Sequence, residues 1–239
     1  MTSIILPAVW LIILIVGLPQ LSETVYTPSL PDIAQEFATS VNLVEHTLTV
    51  YLLGFAIGTL FWGKLSDKQG RKPCVIAGLL VFSIGCVICY FSNSIEILMI
   101  GRFVQAFGGS ISSVIGQAIC RDAFKGPELG KVYSMVGSAL ALFPALGPLC
   151  GSFIAENFGW KNIFIFLILF AFVIIYFTLL KLPETHPHSD RKQISIWYVA
   201  KKLMNDKTVL SFGLIVAACN GILFSYFAEG PFYLINALN

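Results

Sequence analysis

The chain has 239 residues, 56% of them hydrophobic and only 12% charged, with a mean hydropathy of +0.82. A soluble domain carries about 25% charged residues. This composition therefore excludes a soluble globular enzyme and leaves room for six or seven spans of ~20 residues. A formal charge of +2 offers no field to a polyphosphate partner, so a nucleic-acid binder is excluded too.

The first apolar run, 4–27, has no positive n-region before it and no Ala-x-Ala-like site after it, so it reads as an uncleaved span. Further apolar runs fall at 43–62, 74–91, 95–118, 132–155, 160–180 and 209–235. Each can cross a ~30 Å hydrocarbon core as a helix, and none alternates like a barrel strand. The expectation is an all-α polytopic membrane protein with seven transmembrane helices. Between the first two runs stand Asp32, Glu36 and Glu45, with no Lys or Arg. Thirteen of the fifteen basic residues lie on the other side, in 64–72, 121–131 and 181–207. The exceptions are Lys161, at an outer helix end, and Arg102, inside a span. The basic side is expected to be cytoplasmic, with the N-terminus inside and the C-terminus outside, in the periplasm. Cys86, Cys89, Cys150 and Cys219 sit in apolar runs, while Cys74 and Cys120 adjoin basic loops. All six read as small buried hydrophobes rather than disulfide partners.

Several positions are costly or conformationally special. Glu23 stands near the outer end of the first span, followed by Tyr26-Thr27-Pro28-Ser29-Leu30-Pro31. Glu23 either faces a cavity, as a proton or cation site, or is an interfacial carboxylate. Between spans two and three lies Gly63-Lys64-Leu65-Ser66-Asp67-Lys68-Gln69-Gly70-Arg71-Lys72-Pro73. Its two glycines suit a tight reversal, and one carboxylate sits among four cations. Arg102 lies about 10 Å into span four, with Gln105 three residues on. At that depth it faces the bundle interior with a partner, unless it snorkels to the headgroups. Arg121-Asp122 closes that span as a functional pair or as a surface ion pair.

Span five carries Pro144, Gly147, Pro148 and Gly151. The prolines free the carbonyls of Leu140 and Pro144 and predict a bend. The glycines form a small-x-x-x-small strip for close helix approach, as Gly54 and Gly58 do in span two. In 181–208, Ile196, Val199, Ala200 and Leu203 recur at helical spacing, which fits an interfacial helix or a solvated linker. His186 and His188 in their Pro-rich loop read as solvated, with no metal expected. No Walker loop, HExxH or nucleophile elbow is present, so no enzymatic activity and no cofactor is expected.

The 63–73 stretch fills every position of the G-x-L-[SA]-D-[RK]-x-G-[RK]-[RK] signature and so resembles the major facilitator superfamily. Arg102-x-x-Gln105 is similar to that superfamily's fourth-helix motif, and Arg121-Asp122 to a pair of its drug-exporting branches. The paired prolines, the Tyr26–Pro31 ending and Gly230-Pro231-Phe232 resemble the bicyclomycin-resistance branch. There are departures: Phe143 replaces a glycine, Ser152 replaces another, Thr24 stands where an aspartate is common, and Glu229 is additional.

The resemblance implies a proton-coupled exporter of hydrophobic drugs in the bacterial inner membrane, with twelve helices in two six-helix halves. The expected layout is a six-helix half at 1–182, a central loop at 183–207, and a seventh helix at 208–239 opening a second half. It implies that Arg102 tunes a coupling carboxylate, for which Glu23 is the candidate. Glu23, Tyr26, Arg102 and Gln105 would line the coupling cavity. Gly63, Asp67, Gly70 and Arg71 would form the inner gate, and Pro144, Gly147, Pro148 and Gly151 the helix-five hinge. Besides lipid, protons and a hydrophobic substrate, the expected partner is a separate C-terminal half or a second copy. On this reading the chain is a truncated transporter, inactive alone, and Asp67 lacks a partner within it. The alternatives are a non-transporting remnant or scaffold, and a facilitator for a small metabolite.

Overall fold

A computed structural model of the protein describes residues 6–186 and 204–238. Within the last helix it describes side chains through Ile222 and at Ser225. The chain divides into two compact units, Met1–Arg191 and Lys192–Asn239.

The first unit is a bundle of α1 (Val9–Thr24), a 3-10 turn (Thr27–Ser29), α2 (Leu30–Glu36), α3 (Val41–Gln69), α4 (Arg71–Tyr90), α5 (Ile95–Ala123), α6 (Gly126–Phe158) and α7 (Asn162–Lys181). Together α1, the turn and α2 make one span, Val9–Glu36. Among the described residues six helices are long and apolar enough to cross a membrane. The second unit holds α8 (Lys207–Leu238). Its described apolar part, Lys207–Ile222, is shorter than a span, although the helix runs on to Leu238. Glu229 and Gly230-Pro231-Phe232 lie in α8, with side chains outside the described residues. The 196–203 amphipathic stretch also lies outside them.

The expected loop at 63–73 is corrected by the structure. Lys64, Lys68 and Gln69 are good helix formers, and α3 continues through them to Gln69. Gly63 is therefore helical, and Gly70 alone reverses the chain. With φ 104° and ψ 165° it closes α3 and opens α4, a conformation that a Cβ would strain. The hydroxyl of Ser40 caps α3, and that of Ser94 caps α5.

Small residues set the helix spacing. In α5, Gly101 lies against Cys89 of α4, and Gly108 against the Phe82 amide and Gly78 carbonyl. From α4, Gly85 reaches the backbone of Gln105. Gly54 and Gly58 of α3 lie against the Phe103 and Phe107 carbonyls of α5, and Trp62 Nε1 donates to Phe107 O at 2.7 Å. Helix α5 is thereby packed against α1, α3 and α4. Outward surfaces keep Leu53, Leu60, Leu142, Leu149 and Phe153 exposed, as a lipid-facing helix requires. Cys74, Cys86, Cys89 and Cys120 are buried, as read from the sequence, whereas Cys150 is half-buried and Cys219 exposed.

Candidate functional site

Arg102 is the eighth residue of α5 and is fully buried. Its guanidinium lies 4.2 Å from the ring centroid of Tyr26 and 4.2 Å from that of Tyr51. Nη1 donates to Gln105 Oε1 at 2.6 Å, and Gln105 Nε2 donates to Cys86 Sγ at 3.1 Å. Both phenols direct their hydroxyls elsewhere. Tyr26 Oη is 3.0 Å from Thr47 Oγ1, and Tyr51 donates to Pro19 O at 3.3 Å. Arg102 Nε and Nη2 have no hydrogen-bond partner, and Arg102 makes no ion pair among the described residues.

The physics of this arrangement is unusual. Each desolvated cation–π contact stabilises the guanidinium by about 2 kcal/mol. Each unanswered buried donor costs about 1–3 kcal/mol. The rings flank the cation while its Nε and Nη2 stay unanswered. Glu23 is buried, 6% exposed, on α1, which packs against α5, and it makes no ion pair among the described residues.

Thr24, in the position where the family resemblance expects an aspartate, points elsewhere. Its Oγ1 donates to Gln20 O at 2.8 Å and lies 3.4 Å from Phe143 O of α6. Gly147 and Gly151 admit Thr24 and the Val25 carbonyl. Gly17 of α1 leaves room for the Phe143 ring. Two departures from the family pattern, Thr24 and Phe143, thus meet on one seam. Helix α6 runs unbroken through Pro144 and Pro148.

A second cluster lies at the end where α3 meets α4. Arg71 Nη1 donates to Asp67 Oδ1 at 2.7 Å and to Ser66 Oγ at 2.8 Å, and its Nε donates to Asp122 Oδ2 at 2.9 Å. Asp67 therefore has a partner within this chain, contrary to the expectation, although its side chain stays 55% exposed. Asp122 pairs with Arg71 rather than with its neighbour Arg121. Glu184 accepts from the Arg71 and Lys72 amides at 2.8 and 3.2 Å, capping α4. Lys72 Nζ in turn donates to Leu179 O near the end of α7 at 2.9 Å.

Sequence reasoning missed Tyr51, Asp122 as a partner of Arg71, Gly85 and Glu184. Two of these carried a signal. Tyr51, Gly54 and Gly58 share a helix face at i, i+3, i+7. Gly78 and Gly85 on α4 repeat the seven-residue spacing of Gly101 and Gly108 on α5.

A bundle of six bilayer-length helices enclosing a buried cation defines a multi-pass α-helical membrane protein. The Major Facilitator Superfamily model matches residues 12–239, and the chain belongs to that family. It is similar to an uncharacterized transporter of Rickettsia bellii (strain RML369-C), 39% identical over 230 residues, covering 96% of this chain and 57% of that one. A bicyclomycin resistance protein homolog of Haemophilus influenzae is 31% identical over 221 residues, 91% of this chain and 56% of the relative. The crystal structure of a D-xylose-proton symporter shares the fold with a TM-score of 0.66 at 18% identity, over 86% of this chain and 54% of that one. The chain thus spans somewhat over half the length of these relatives.

Proposed function

We propose that the whole protein exports hydrophobic drugs across the bacterial inner membrane in exchange for protons, and that residues 1–239 supply its first six-helix half and the seventh helix. The observation that carries this reading is the open edge of Arg102 in a bundle whose neighbouring helix α1 buries the carboxyl of Glu23. Within a low-dielectric bundle, an ionised Glu23 and the free Nε and Nη2 donors attract one another strongly. A proton arriving from outside neutralises the carboxylate and releases that attraction. Proton and guanidinium therefore compete for Glu23, and the competition shifts α1 against α5. In this reading Asp67 and Arg71 latch the inner gate through Asp122, Gly63 and Gly70 shape its turn, and the seam at Gly147 and Gly151 beside Pro144 and Pro148 hinges α6. Tyr26 and Gln105 keep the arginine in place.

Drug accumulation in everted vesicles carrying the full-length protein, under an imposed proton gradient, tests the proposal. Glu23→Gln should abolish the gradient-driven part while the protein still inserts. Gradient-independent movement of a small metabolite would replace the proposal with a facilitator. Orientation is tested separately. A cysteine placed at Thr39 should be labelled from outside and one at Gln193 should not, and the reverse pattern would overturn the topology.

A further inference from the structure

We infer that Tyr51 is the positioning residue that ties Arg102 to the turn of α1 bearing Glu23; this rests on the proton-coupling reading above. Tyr51 is 2% exposed, and its side chain makes two contacts at once. Its ring forms one face of the sandwich, 4.2 Å from the guanidinium carbon. Its hydroxyl donates at 3.3 Å to the carbonyl of Pro19, one helical turn before Glu23. Tyr26 closes the other face, but its hydroxyl goes to Thr47 of α3. Tyr51 is therefore the residue of α3 that touches both the cation on α5 and the carboxylate-bearing turn of α1.

The consequence is geometric. A guanidinium flanked by two rings at 4.2 Å is restrained toward them, and its Nε and Nη2 keep unpaired donors. The rings thus restrict how the arginine meets a carboxylate without themselves competing for its donors. Any shift of α1 at Pro19 is passed through the Tyr51 hydroxyl to the ring and so to Arg102. No charge is needed for this role, only a flat, weakly hydrated face and one donor.

Two measurements on the full-length protein test the inference. In transport, Tyr51→Phe keeps the ring but loses the donor to Pro19 and should slow proton-driven export about threefold, whereas Tyr51→Leu loses both contacts and should slow it about tenfold. The apparent KM for drug should stay within about twofold in both variants, because the residue acts on the cation and not on substrate. Equal losses in the two variants, or no loss in one of them, would overturn the positioning role. In detergent, Tyr51→Leu should lower Tm by less than about half as much in the Arg102→Met background as in the parent. Additive losses would show that the ring does not hold the arginine. If the parent shows no proton-driven export, the proposed function fails, while the Tm cycle still decides whether Tyr51 holds Arg102.

Discussion

Arg102 and Arg71 are both buried, 0% and 6% exposed, yet the bundle stabilises the two charges by different means. Arg71 stands at a helix end beside water. It spends its donors on Asp67, Asp122 and Ser66, so its charge is matched by carboxylates. Arg102 stands mid-helix, where its one hydrogen bond goes to a neutral amide and its faces rest on tyrosines. A paired arginine is a strut: its charge-assisted hydrogen bonds fix neighbouring elements to one another. An arginine with open donors in a dry bundle retains an attraction for a carboxylate that arrives or ionises later. The first design suits a latch, the second a switch.

This contrast can be broken most forcefully at Arg102. Replacing it by alanine in the full-length protein should cost more than about a hundredfold in proton-driven export, about 2.7 kcal/mol. Folding should survive, because the buried charge and its two unanswered donors leave together. Near-normal export would reduce Arg102 to a structural residue.

A somewhat smaller effect is expected where the helices of the switch approach most closely. A side chain at Gly108 would meet the backbone of Phe82 and Gly78, which cannot move aside without separating α4 from α5. Gly108→Val should therefore lower stability by about 2 kcal/mol, read as a fall in Tm in detergent. An unchanged Tm would show that the α4–α5 contact is slack, and with it the setting of Gln105.

The strut should respond more mildly. Arg71→Lys keeps the charge but cannot reach Ser66, Asp67 and Asp122 together, and with Asp67 half in water the loss should be about 1 kcal/mol. Glu184→Gln should cost about 0.5 kcal/mol, because its single amide oxygen keeps one bond of the exposed cap and loses the other together with the charge that favours a helix N-terminus. Thermal unfolding of both variants ranks them. A larger loss at Glu184 than at Arg71 would mean that the α4–α7 tie, not the carboxylate pair, holds this end.

The sequence alone determined six of its seven expected spans and the family, and it favoured a buried Arg102 over a snorkelling one, because each depends on a property that does not need tertiary information. Long apolar runs without charge have one low-energy fate in a bilayer, and a deep arginine must turn inward. Gly54 and Gly58, or Gly147 and Gly151, announced close approach by spacing alone. Tertiary structure decided what those residues meet. Whether Arg102 faced a carboxylate or aromatic rings depended on how α1 and α3 rotate about α5, which local pattern leaves free. That rotation turned Thr24 toward α6 and left Glu23 buried. The same holds for Asp67, Asp122 and Glu184, which are separated by 55 and 62 residues in sequence. Charges at helix ends pair with whatever the packing brings near, and only the assembled bundle gathers them around Arg71.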